Sequence, residues 1–169
     1  MVDDVVRPLG GEDLPQSAAV LREAFADVAA EFGLTPQNAP GNGAFATAGD
    51  LAAERSAGCL MYGMFHRGGQ TGFVSLRPGD HAVHELRRLA VRPPFRHAGR
   101  GGRLLDFAKA EARRLGARRL ALGLIEENGR LRAWYLAHGF VHAGTERRPG
   151  FPFTVGRMEF PLDDQPRAP

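Results

Sequence analysis

The run Leu89-Ala90-Val91-Arg92-Pro93-Pro94-Phe95-Arg96-His97-Ala98-Gly99-Arg100-Gly101-Gly102 constrains this chain more than any other stretch. An extended segment over about 81–91 stops at Pro93-Pro94, and a glycine-rich turn follows. Leu104, Leu105, Ala108, Ala112 and Leu115 then recur at helical spacing as a buried stripe. A strand therefore passes through a tight turn directly into a helix. The first amides of a helix lack intrahelical partners and sit at the positive end of its dipole, so the turn is a natural anion site. Glycines 99, 101 and 102 remove Cβ atoms that would keep a pyrophosphate away from the backbone. Arg87, Arg88, Arg92, Arg96, Arg100 and Arg103 add positive charge around it. No Gly-Lys-Ser/Thr follows the glycines, so this is not a P-loop. Leu104 stands where the dinucleotide fingerprint needs its third glycine. A plain glycine-rich connector, or a solvated basic face, would carry the same letters, and this segment alone leaves those readings open.

The remaining chain reads as one α+β unit. A short strand over 4–8 precedes a helix of about 18 residues opened by Glu12 or Asp13, with Leu14, Ala18, Leu21, Phe25 and Val28 on one face. Residues 34–48 are rich in Pro, Gly and Asn and read as a loop, followed by a short helix over 49–56. Strands over 59–66 and 70–76 meet at His66-Arg67-Gly68-Gly69, a hairpin signature. After the turn and its helix, which Gly116 closes, come a strand over 118–125 and a helix capped by Asn128 and ended by Gly139. Strands opening at Phe140 and over 154–160 complete the order, which implies a mixed sheet with helices on its faces. We expect a single domain over 1–162 and a mobile tail over 163–169.

A second block stands one strand and one helix beyond the first. It reads Asn128, Ala133, Tyr135, Gly139 and Phe140 in NGRLRAWYLAHGF. Arg96-x-x-Gly99-x-Gly101 after Leu89-Ala90-Val91, followed in this order by the second block, resembles the signature of the GNAT acetyltransferase superfamily. The resemblance covers about 60 residues directly and the whole chain by its element order. It implies a mostly antiparallel sheet of six to seven strands, splayed between the strands at about 81–91 and 118–125. It also implies acetyl-CoA as co-substrate, without a metal, and transfer of the acetyl group to a primary amine. The amides from His97 through Ala98, Gly99, Arg100 and Gly101 to Gly102 would cradle the pyrophosphate, with Arg96 opening the motif. The backbone of Leu89, Ala90 and Val91 would pair with the pantetheine arm, whose two amides need such partners, and Asn128 would lie beside the same arm.

Acetylating an amine requires a neutral nucleophile and a stabilised leaving thiolate. An alkylamine with a pKa near 10.4 costs roughly 4–5 kcal/mol to deprotonate at neutral pH, so a base or water relay helps. The resemblance makes Tyr135 the candidate general acid at the sulfur and Glu85 the candidate base. By strand alternation Glu85 would share a face with Leu89 and Val91 and be partly desolvated. Core packing for Tyr135 and pairing with Arg87 or Arg88 for Glu85 are the plainer alternatives. Other members carry a base five residues before the asparagine, a position held here by Gly123, which leaves Glu126 and Glu127 as alternates. His84 and His138 could relay a proton.

The acceptor side should come from the first helix, the loop at 34–48 and the loop at 147–153, where Phe151 and Phe153 form either an apolar wall or strand-end packing. The acceptor is then a small-molecule amine or a peptide N-terminus. The six histidines form no ligand set at metal-binding spacing. The arginine cluster raises nucleic-acid binding as a rival, but no aromatic platform is interleaved with it. A non-catalytic acyl-CoA-binding module is the other. No apolar run has the length of a membrane span or signal segment, and the lone Cys59 suits a reducing cytoplasm. Edge strands leave a homodimer possible.

Overall fold

The computed structural model describes residues 3–163. Six of the residues expected to form the mobile tail, 164–169, lie outside that range. Strands β1 (Val5–Pro8), β2 (Leu60–His66), β3 (Gly69–Pro78), β4 (Val83–Val91), β5 (Arg119–Ile125), β6 (Val141–Arg147) and β7 (Thr154–Pro161) form one sheet in the order β1-β2-β3-β4-β5-β7-β6. Every neighbouring pair is antiparallel except β4 and β5. The β2–β3 hairpin turns through Arg67 and Gly68, both at positive φ, the geometry of a two-residue turn matched to strand twist.

Helices α1 (Leu14–Phe32) and α2 (Ala48–Ser56) cover one face, and α3 (Arg100–Arg114) and α4 (Gly129–Ala137) the other. The periodic residues of α1 explain its placement: Leu14, Ala18 and Leu21 pack on Met61, Phe73 and Ala90. Ser17, also buried, donates a hydrogen bond to Gln70 Oε1 at 2.9 Å, so these two polar side chains satisfy each other inside an apolar face. On the opposite face Leu104, Leu105, Ala108 and Ala112 of α3 are fully buried against Met64, Val74, Leu76 and Leu120. Leu115, expected to extend that stripe, is instead 37% exposed. It follows the last turn of α3, where Gly116 at φ 87° reverses the chain and carries residue 115 off the buried face. Gly72 makes room for α3 against the sheet: a Cβ there would lie 2.8 Å from Leu104 Cδ1 and 3.1 Å from the Ala90 carbonyl.

Candidate active site

The parallel contact between β4 and β5 lasts only three residue pairs, ending at Glu85 opposite Ala121. Beyond it β4 is bonded to β3 alone and β5 to β7 alone. The backbone groups that Leu86–Val91 direct toward β5 therefore face an opening, as expected for a sheet splayed to receive an amide-bearing ligand. A second irregularity lies at its root. Ser75 pairs with Arg88 but Leu76 with Leu86, so Arg87 is an extra residue in β4, a β-bulge. The bulge breaks the strict alternation. Leu86, Leu89 and Val91 all pack toward α3, whereas Glu85 is turned to the face of α1 and α2. The expectation that Glu85 shares a face with Leu89 and Val91 is therefore corrected. Its carboxylate is 40% exposed, 3.4 Å from Arg77 and 3.8 Å from Arg87, rather than desolvated.

The turn after β4 begins with a short 3-10 segment, Pro93–Phe95, and enters α3 through His97 at φ 63° and Gly99 at φ 77°. Among the described residues, no backbone carbonyl accepts from the six amides of His97 to Gly102. The next amide, that of Arg103, bonds to the Gly99 carbonyl and starts the helical ladder. Consecutive unpaired donors at a helix N-terminus are the arrangement that can receive an anion. The glycines act differently from one another. Gly99 is needed for its left-handed backbone. A Cβ at Gly101 would sit 3.4 Å from Trp134, and one at Gly102 would sit 3.4 Å from His138, so these two glycines also admit α4 alongside α3.

Tyr135, on α4, is buried and meets Trp134 and Phe140 edge-on at 5.0 and 5.3 Å. Burial alone pushes its phenol well above the usual range, with no hydrogen bond contributing. The Asn128 side-chain oxygen caps α4 by accepting from the Leu131 amide at 3.2 Å, which leaves its NH2 group for another partner. Glu126 is held by Arg132 at 3.1 Å and His142 at 3.0 Å, and Glu127 accepts from the Thr154 amide at 3.0 Å, so both alternate bases already serve as acceptors. His84 is buried, and its pKa is lowered by that burial. His138 Nδ1 lies 2.8 Å from the Trp134 carbonyl, and its ring stacks on Trp134.

Past the end of β5, a third apolar cluster joins Ala29 and Phe32 of α1, Leu34, Ala39 and Phe45 of the following loop, Ile125 and Phe153. Phe151 stacks on Phe153 at 5.1 Å. Phe153 is thus strand-end packing that also closes the α1 side of the opening.

The Acetyltransferase (GNAT) family model matches residues 25–140, more than half of the chain. The chain belongs to the GNAT family. Its GNAT relatives include the amino-acid acetyltransferases of Azotobacter vinelandii, 40% identical over 70 residues, and Pseudomonas aeruginosa, 37% identical over 70 residues. Each match covers 41% of this chain and only 15% of the relative's length. The fold is that of the ribosomal-protein-S18-alanine N-acetyltransferase from Escherichia coli, with a TM-score of 0.76 at 18% identity over 99% of both chains. It is also that of the PaiA N-acetyltransferase from Thermoplasma acidophilum in complex with coenzyme A, with a TM-score of 0.72 at 20% identity over 94% of this chain and 99% of that one.

Within this GNAT fold the arginine cluster is largely spoken for. Arg88 pairs with Glu54, Arg92 with Glu23 at 2.9 Å, and Arg96 with Asp27 at 3.0 Å. Arg100 and Arg103 share the buried Asp4 at 3.0 and 2.9 Å. Burial alone would raise the Asp4 pKa, but hydrogen bonds from Arg100 and His66 and the charges of Arg100 and Arg103 lower it. The positive charge expected around the turn is therefore largely engaged in ion pairs. Arg96 in particular is a strut: it donates to the Val91 carbonyl at 3.1 Å and the Ala24 carbonyl at 2.6 Å, tying the turn to α1. No helix among the described residues is long and apolar enough to cross a membrane, and none of their His, Cys, Asp and Glu side chains cluster as a metal site.

Proposed function

We propose that this GNAT chain transfers the acetyl group of acetyl-CoA to a primary amine by direct attack within a ternary complex. The observation that carries the reading is the row of six free amides, His97 to Gly102, beside the opening between β4 and β5. The thioester supplies an activated acetyl group. The amides hold a pyrophosphate, the edge of Leu89–Val91 that faces away from β3 extends along the pantetheine arm as an added strand would, and the free NH2 of Asn128 donates to the same arm.

Glu85 stands on the α1 and α2 face of the sheet, the side from which the loop at 34–48 and Phe153 border the opening. From there it takes a proton from the incoming amine directly or through one water. The amine nitrogen bonds to the acetyl carbon, the carbon–sulfur bond breaks, and the phenol of Tyr135 donates a hydrogen bond to the departing sulfur. A relay through an acetylated protein thiol is disfavoured. Cys59 is buried, and burial raises its pKa, so little thiolate forms. Relatives and structural neighbours are named for an amino acid, a ribosomal-protein alanine and spermidine as acceptors, and each is open to this chain. The apolar wall of Phe45 and Phe153 favours an amine that carries an apolar or peptide portion over a bare polycation. The reduced lone thiol accords with a cytoplasmic setting.

Thermal shift with acetyl-CoA and NADH, followed by thiol release against an amine panel, tests the proposal. Stabilisation by acetyl-CoA alone together with turnover is the expected result. No shift with acetyl-CoA would overturn it, and a shift without turnover on any amine would make the chain an acyl-CoA-binding module.

A further inference from the structure

The bulge in β4 turns two successive arginines toward α2, and Arg88 is the deeper, only 7% exposed. One guanidinium nitrogen donates to Glu54 of α2, and another donates to the Gly41 carbonyl at 3.0 Å. Gly41 lies between Ala39 and Phe45, the loop residues that pack with Ile125 and Phe153 beside the opening. The other end of the loop is held by Arg22, which donates to the Ala46 carbonyl at 2.8 Å. Arg88 immediately precedes Leu89 in the strand assigned to the pantetheine arm. One planar side chain thus joins the cofactor strand, α2 and the acceptor-side loop.

Resting on the acetyltransferase reading above, we propose that Arg88 is a positioning residue for the acceptor. It fixes the height of the loop at 34–48 over the thioester and so sets the KM for the amine, without touching either substrate. The guanidinium fork matters because it satisfies two partners in different directions at once. Arg88 uses two separate nitrogens for Glu54 and the Gly41 carbonyl, whereas lysine offers a single nitrogen and loses that fork. Without the tie, the middle of the loop is held to the rest of the protein by Arg22 and apolar contacts, besides the hydrogen bonds within the loop itself.

The test compares the full chain with Arg88→Lys and Arg88→Met, using the best amine from the panel. Arg88→Lys retains the charge beside Glu54 and with it the fold. The expected result is a rise of about tenfold in amine KM for Arg88→Lys and more for Arg88→Met, with kcat within about threefold and the acetyl-CoA Kd unchanged. Hydrogen exchange of the amides over 39–46 should speed up in both variants while that of α3 does not. Unchanged amine KM in a wild-type-active background overturns the role of Arg88 alone, as does a parallel loss of acetyl-CoA affinity. A wild-type chain that turns over no amine overturns the acetyltransferase reading and this role with it.

Discussion

Replacing Tyr135 with phenylalanine removes one oxygen from a ring that is otherwise held by Trp134 and Phe140. Burial raises the phenol pKa well above its usual value near 10, whereas a thiol titrates near 8.5. Complete proton transfer from Tyr135 to a departing thiolate is therefore uphill, and the phenol serves as a hydrogen-bond donor that stays protonated throughout the working pH range. A hydrogen bond to a charged group contributes about 1.5–3 kcal/mol. At roughly 1.4 kcal/mol per factor of ten, Tyr135→Phe should lower kcat by about 10- to 150-fold. This is smaller than the roughly 10²–10⁴-fold expected for loss of a true general acid. Acetyl-CoA affinity should be unchanged. Thermal stability should hold or rise, because no hydrogen bond within the protein is lost and a buried polar atom is removed. The assay is steady-state thiol release from pH 6 to 10 beside a melting curve for each protein. Wild-type kcat should show no falling limb assignable to a tyrosine below pH 10. An unchanged kcat, a loss of about 10³-fold or more, or a marked drop in melting temperature would each refute this reasoning.

Four further outcomes follow from particular contacts. Glu85→Gln should remove the low-pH limb of kcat/KM and lower turnover by about 10²-fold or more, while the melting temperature stays put, since the carboxylate is partly exposed and lies beyond 3 Å from both arginines; a pH profile with an unchanged acid limb removes it as the base. Gly99→Val places a β-branched residue at φ 77°, a cost of at least about 1–2 kcal/mol, and should reduce acetyl-CoA stabilisation in a thermal shift more than it reduces the stability of the free protein. Lys109→Met deletes the only lysine, which is buried, donates to the His138 carbonyl at 2.7 Å and lies 3.9 Å from the Phe160 ring centroid; urea unfolding should show a loss of about 1–3 kcal/mol. Asp13 is lowered to about 2 by hydrogen bonds from Arg7 and the Gly10 amide; its stabilisation is present above the unfolded carboxyl pKa near 4 and is lost as pH falls toward 2, so Asp13→Asn should flatten the acid limb of melting temperature against pH.

The extent to which these residues could be read from the chain differs by element for physical reasons. The element order was legible because Leu104, Leu105, Ala108 and Ala112 repeat at helical spacing and because Pro93, Gly99, Gly116 and Gly139 mark ends that only special backbone geometry satisfies. The turn at 96–102 was legible for the same reason, since a positive-φ glycine before an amphipathic helix leaves few alternatives. The facing of Glu85 was not. Strand alternation is a rule of period two, and one inserted residue at Arg87 inverts it for everything upstream. Nothing in His84-Glu85-Leu86-Arg87-Arg88 marks the insertion, because both arginines suit either phase. The state of the arginines was equally hidden: Asp4, Glu23, Asp27 and Glu54 reach them from segments far away in the chain. Their pairing changes the chemistry of the turn. With its guanidiniums engaged by carboxylates and carbonyls, the anion site depends chiefly on fixed backbone dipoles, while the arginines set the shape of the surrounding walls. Salt should therefore weaken acetyl-CoA binding less steeply than a site of free arginines would require.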